Sequence, residues 1–202
     1  MKQEKLTQTG WGEEVKKERV SFLASTTSLK KVSLTGPESA GKSTLAAQLA
    51  AHYGSVFVPE YAREYLEKNG ARYALPDLET IAHSQLAAED VAAAQATGLL
   101  FCDTDLLVLK IWAENAFGAC PAWILAELTK PRYALTLLLA PDLPWTPDPL
   151  REHPDPAQRW HFYRLYLAEL QSRGWPFAEI SGPPAERLAQ ATTAVAALLA
   201  KR

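Results

Sequence analysis

The chain has 202 residues, 48% of them apolar, with 21 Lys plus Arg against 23 Asp plus Glu for a net charge of −2. That length and apolar share suit one domain with a sizeable core plus a short extension. The balanced charge excludes nucleic acid or an anionic membrane as the default partner, and no apolar run approaches the roughly 20 residues that span a bilayer.

Residues 1–28 read as an N-terminal extension to a domain over 29–202. The extension is polar and mixed in charge: Glu13–Arg19 (EEVKKER) has helical character, Ser25–Ser28 reads as a linker, and Trp11 is a candidate docking anchor. Its start, Lys2-Gln3-Glu4-Lys5, lacks an apolar signal core, so a cytoplasmic location is expected. Lys31–Thr35 is a short β-branched run ending at a glycine and is predicted as a strand. Lys42–Tyr53 sets Leu45, Leu49 and Tyr53 on one helical face. Ser55–Val58 predicts a second strand, Tyr61–Asn69 a helix stopped by Gly70, and Leu78–Thr97 a long alanine-rich helix opened by Pro76-Asp77. Leu99–Cys102 is a third strand, Leu106–Phe117 and Pro121–Thr129 are helices, and Tyr133–Leu139 is a dense apolar strand. Six prolines between positions 141 and 156 mark a stiff loop, followed by a helix over Ala157–Arg173, a strand over Phe177–Ile180 and a helix over Pro184–Ala200. Cys102 and Cys120, the only cysteines, have no metal-ligand spacing and read as neutral thiols.

Five short apolar strands alternating with helices predict an α/β fold with a five-stranded parallel sheet covered on both faces. In such sheets ligands gather at the carboxyl ends of the strands. The chemistry should therefore sit at Gly36–Thr44, Pro59–Arg63, Asp103–Asp105 and Ala140–Arg151.

Those places carry motifs. Gly36, Gly41, Lys42 and Ser43 fit G-x-x-x-x-G-K-[ST] between a predicted strand and a predicted helix. In that context the loop Gly36-Pro37-Glu38-Ser39-Ala40-Gly41-Lys42-Ser43-Thr44 would cradle the phosphates of ATP with the backbone N–H groups of its non-proline residues. Lys42 would bridge the β- and γ-phosphates and Ser43 would ligate Mg²⁺. Glu60 follows the second strand, where a carboxylate can take a proton from a substrate hydroxyl. Arg63, three residues on, shares its face in a helix, and a surface Glu–Arg pair is the competing reading. Asp103 ends an apolar strand, as the Mg²⁺-organising Asp of phosphate-loop enzymes does, whereas Asp105 suits either the site or the cap of the next helix. The proline-rich loop carries Trp145, Asp148 and Arg151, with Arg159 just beyond, and its arginines could neutralise charge on a transferring phosphoryl group. His153 and His161 read as surface residues. No glutamate follows Asp103 and no N-K-x-D motif appears, which argues against a motor-type ATPase or a GTPase switch.

Taken together, TGPESAGKSTL, VPEYAREYL, FCDTDLL and PDLPWTPDPLR resemble the nicotinamide riboside kinase domains of the NadR type, over about Lys30–Leu199. The resemblance implies a nucleoside/nucleotide-kinase-like phosphate-loop fold, ATP and Mg²⁺ as cofactors, and phosphoryl transfer to the 5′-hydroxyl of nicotinamide riboside. It implies substrate contacts from Glu60, Tyr61, Arg63, Asp105, Trp145 and Asp148, metal contacts from Ser43 and Asp103, and catalytic roles for Lys42, Glu60, Asp103, Arg151 and Arg159. The chain departs from that pattern at Pro59, where an aromatic residue is expected, and near Asp90, where a second is expected on the long helix. The extension is too short for the adenylyltransferase domain of the bifunctional relatives. Three readings stay open: this kinase, a kinase of another nucleoside, and a regulatory ATPase that works through a protein partner.

Overall fold

The computed structural model describes residues 28–201. The expected helix at Glu13–Arg19 and the anchor at Trp11 lie outside the described residues. The strands are β1 (Lys30–Thr35), β2 (Val56–Val58), β3 (Leu99–Asp103), β4 (Leu135–Leu139) and β5 (Phe177–Ile180). The helices are α1 (Lys42–Tyr53), α2 (Tyr61–Asn69), α3 (Leu75–Ala93), α4 (Leu106–Phe117), α5 (Ala122–Glu127), α6 (Pro156–Arg173) and α7 (Pro184–Ala200).

All strand pairs are parallel, in the order β2-β3-β1-β4-β5, so β1 lies at the centre between β3 and β4. The two-residue period of a strand sorts the side chains. Val32, Leu34, Phe101, Leu135, Leu137 and Leu139 face one layer, where Leu45 and Leu49 of α1 and Ala191 and Val195 of α7 pack on them. Leu138 and Ala140 face the other layer with Leu78, Ile81, Leu107, Leu109, Phe162 and Leu170 from α3, α4 and α6. Two polar residues in the sheet, Ser33 and Thr136, satisfy each other by a buried 2.9 Å hydrogen bond between β1 and β4, as buried hydroxyls must.

Element boundaries differ from the sequence expectation where local polar chemistry intervenes. Helix α3 starts at Leu75 rather than Leu78, because Asp77 reaches back to accept the Ala74 N–H at 2.7 Å and Pro76 needs no N–H partner in the first turn. It ends at Ala93 rather than Thr97, and Gly98, at φ 78°, turns the chain into β3. Strand β4 begins at Leu135 rather than Tyr133, whose hydroxyl is drawn 2.6 Å from the Glu89 carboxylate. No helix among the described residues is long and apolar enough to cross a membrane.

Candidate active site

The loop between β1 and α1 is shaped by its glycines. Gly36 has φ 134°, and a Cβ there would lie 2.6 Å from the Leu139 carbonyl oxygen, so any side chain would drive the loop off the end of β4. Ser39 and Gly41 also take left-handed φ values, of 55° and 82°. Gly41 precedes α1 without any side-chain cap. The first N–H groups of α1 are thus left for a ligand, with the positive end of the helix dipole behind them. The Lys42 ammonium arcs over the loop, donating to the carbonyls of Gly36 at 2.9 Å and Pro37 at 3.0 Å.

Asp103 ends β3 beside Leu34 of the central strand and is 1% exposed. Its Oδ1 is buried without a hydrogen-bond partner. Burial pushes its carboxyl up to about 6, against the opposing pull of Lys42 and Ser43. No group of three or more His, Cys, Asp or Glu among the described residues is placed to hold a metal ion. Mg²⁺ at phosphate sites needs only one or two protein groups, the remaining positions going to water and phosphate oxygens. The Ser43 hydroxyl and the unpartnered Asp103 oxygen fit that pattern.

The proline-rich segment 141–155 forms a strap across the phosphate loop. The Glu38 carboxylate accepts the backbone N–H groups of Glu152 at 3.0 Å and His153 at 3.1 Å, and Ser39 Oγ accepts that of Thr146 at 3.2 Å. From the far side Arg63 of α2 pairs with Asp148 at 3.0 Å. The Leu150 N–H, and then Arg63, hold the Asp148 carboxyl below the usual carboxylate range.

Loop, strap and helices enclose a cavity of about 270 Å³. One side is the loop from Gly36 to Thr44 with Glu60, Arg63, Arg151 and Glu152. The other is largely apolar and aromatic: Leu66, Tyr73, Ile111, Trp112, Phe162 and Tyr166. Tyr73 and Trp112 meet edge-on with ring centroids 4.8 Å apart. The Trp112 indole N–H donates to the Tyr73 hydroxyl at 2.7 Å, and that hydroxyl donates to Glu152 at 3.1 Å, so both rings are fixed in orientation.

Several residues expected at the substrate lie elsewhere. Asp105 is spent on its helix: it caps α4, accepting the N–H groups of Leu107 at 3.0 Å and Val108 at 3.2 Å, and does not line the cavity. Tyr61 packs into the core beside the cavity, its N–H held by Gln85 at 2.8 Å. Trp145 sits on the strap, off the cavity wall, with the guanidinium carbons of Arg151 and Arg159 at 5.8 and 5.5 Å from its ring. Asp148 fastens the strap through Arg63, which pairs with it and with Glu67. Arg159 lies in the first turn of α6 behind the strap, 3% exposed, with Nε and Nη1 unpartnered. Pro59 and Asp90, positions where aromatics were expected, do not line the cavity either: Pro59 is exposed and Asp90 pairs with Lys31 at 3.5 Å.

Other lining residues escaped the sequence reading. Tyr73, Phe162 and Tyr166 carry no motif, and their helical or loop spacing reads as ordinary core. His153, expected on the surface, is half-buried and lines the cavity, its ring 4.7 Å from that of Phe162. Arg187, in the last helix, is 3% exposed and reaches the phosphate loop.

A central parallel sheet, a glycine-shaped phosphate loop on its middle strand and an aromatic-walled cavity beyond it define the phosphate-loop fold shared with nucleoside and nucleotide kinases. The AAA domain family model matches residues 31–187, and the chain belongs to that family. It is 28% identical over 156 residues to the trifunctional NAD biosynthesis/regulator protein NadR of Escherichia coli strain K12, covering 75% of this chain and 38% of NadR. The corresponding protein of Salmonella typhimurium is 27% identical over 158 residues, and again 38% of it is covered. The chain therefore spans under two-fifths of the length of these curated relatives. A crystal structure of NadR protein in complex with NR matches with a TM-score of 0.69 at 22% identity, covering 86% of this chain and 52% of that one. Deoxyadenosine kinase from M. mycoides matches with a TM-score of 0.57 at 13% identity, covering 83% of this chain and 99% of that one.

Proposed function

We propose that this chain is an ATP- and Mg²⁺-dependent kinase that phosphorylates the 5′-hydroxyl of nicotinamide riboside to give nicotinamide mononucleotide. The observation that carries the reading is that one cavity joins a phosphate loop to an aromatic wall, with the Glu60 carboxylate on the same lining. Lys42 and the loop N–H groups hold the triphosphate in line with the acceptor. Ser43 and Asp103 are the residues that would hold Mg²⁺, which when bound neutralises charge on the phosphate oxygens. The buried free oxygen of Asp103 supports giving that residue to the metal, and on this reading Glu60 accepts the proton of the attacking hydroxyl. Arg151, on the cavity wall, balances charge on the transferring phosphoryl group. Tyr73 and Trp112 offer locked aromatic faces to a flat cationic ring in place of the residues missing at Pro59 and near Asp90. Catalysis is then positioning and electrostatics.

The same wall suits other flat bases, and a kinase of another nucleoside is the second reading. A panel of nucleosides with ATP and Mg²⁺, read by ADP release, separates the two. Nicotinamide riboside should give the highest kcat/KM, and ADP release no faster than without nucleoside would sink the substrate assignment.

A further inference from the structure

Arg187 is buried at the start of α7, far in sequence from every motif, and its guanidinium binds four segments at once. Nε donates to the Gly182 carbonyl at 2.6 Å, Nη1 to Ala40 at 2.9 Å and Nη2 to Ala140 at 2.9 Å, and Nη2 also pairs with the Asp142 carboxylate. Asp142 in turn accepts the Gly182 N–H at 2.7 Å. The segments so joined are the phosphate loop, the end of β4, the start of the strap and the β5–α7 turn. A buried guanidinium needs both a counter-charge and filled donors, and here Asp142 and three carbonyls supply them.

The contact at Ala40 has a consequence for the phosphate loop. A trans peptide points its C=O and the following N–H in opposite directions. With the Ala40 carbonyl held by Arg187, the N–H of Gly41 is turned to the opposite side, and Gly41 lines the cavity. Gly41 has no Cβ and takes a left-handed φ of 82°, so its own backbone does little to resist rotation of that peptide.

We propose that Arg187 is a positioning residue for the nucleotide: it orients the Ala40–Gly41 peptide so that its N–H serves the phosphates, and through Asp142 it ties that peptide to the root of the strap. The inference rests on the reading of the loop as the triphosphate site. It requires the planar fork of arginine, because the single ammonium of lysine cannot reach carbonyls on separate segments in fixed directions.

The test measures ATP and nicotinamide riboside affinities separately by calorimetry, with melting temperatures, for the wild-type chain, Arg187→Lys, Asp142→Asn and Gln190→Ala. Gln190 braces the same β5–α7 turn through two 3.0 Å bonds to Ser181 and does not touch the phosphate loop, so it serves as the structural control. Arg187→Lys should weaken ATP about tenfold, and Asp142→Asn by less. Both should leave nucleoside affinity unchanged, while Gln190→Ala lowers the melting temperature only. ATP binding at wild-type strength in Arg187→Lys, or equal losses for ATP and nucleoside, overturns the inference. Should Arg187→Lys fail to fold, Asp142→Asn decides on the same criteria. A wild-type chain that does not bind ATP refutes the phosphate-loop reading itself and is recognised before any variant is compared.

Discussion

At the amino end of the sheet, Lys31 of β1 donates to Glu89 at 3.2 Å and to Asp90 at 3.5 Å, and the Tyr133 hydroxyl donates to Glu89 at 2.6 Å. Beside them Glu127 pairs with both Lys130 and Arg132. At the carboxyl end, Asp103 Oδ1, Thr104 Oγ1, the Nε2 of Gln85 (whose Oε1 holds the Tyr61 N–H) and two nitrogens of Arg159 are buried without partners among the described residues. Among the described residues the amino end has one such orphan, the Nε of Arg132, whose Nη2 is nonetheless paired. Both ends bury charge, yet only one closes its networks. Buried polar atoms left open are costly, so their concentration at the phosphate-loop end is the pattern expected of the proposed ligand site. The amino end, apart from that Arg132 nitrogen, is closed by its own side chains.

Removing charge at each end should therefore do different things. The largest effect is expected for Lys42→Ala, which should lower turnover by about a thousandfold or more, or ~4 kcal/mol. Lys42 bonds only to carbonyls of its own loop, so the melting temperature should stay close to that of the wild type. Near-normal ADP release in this variant would overturn the assignment of the whole carboxyl end. Glu89→Ala should do the reverse. It leaves Lys31 without its buried partner and Tyr133 without its acceptor, at a loss of about 3 kcal/mol in urea unfolding, while ATP affinity in the folded fraction stays unchanged. Weaker ATP binding there would dissolve the contrast between the two ends.

The smallest effect sharpens the comparison through pH. Asp103 has its carboxyl raised to about 6 by burial, and Asp105 is raised to about 6 by the same cause. A carboxyl raised on folding favours the folded state fully below its unfolded pKa, and that contribution fades as pH rises through the folded value. Without ligand, stability contributed by these two groups should decline from pH ~4 to ~6. On the proposal that Asp103 holds Mg²⁺ in its ionised form, the ion's affinity should move the other way, falling up to about tenfold per pH unit below 6. Mg²⁺ titration at pH 5 and pH 7 checks this, and Asp103→Asn should show weak binding with no such slope.

The sequence was legible where one short stretch contains both the residues and the reason for their conformation. The phosphate loop is such a stretch: its glycines, lysine and serine lie within eight consecutive positions, between a strand and a helix that periodicity reveals. The strands were legible for a similar reason, since runs buried on both faces are mostly apolar, with few polar members such as Ser33 and Thr136, and several are flanked by glycine or proline. Boundaries shifted where a side chain made a bond that periodicity does not register, as Asp77 does at the start of α3. Asp105 was ambiguous because an aspartate ahead of a helix looks the same whether it caps or binds, and its two bonds to α4 resolve it.

What the amino-acid sequence determined by itself is the parallel α/β plan and the phosphate loop, because both follow from local backbone preference and from apolar period. What only the tertiary structure decided is the composition of the cavity opposite that loop and the clamp behind it. Tyr73, Trp112, Phe162 and Tyr166 come from separate segments and converge only when α4 and α6 pack on the same face of the sheet. Arg187 meets Ala40 across 147 residues of chain. Contacts at such separation depend on how layers stack, and a linear pattern of residue types carries no record of that distance.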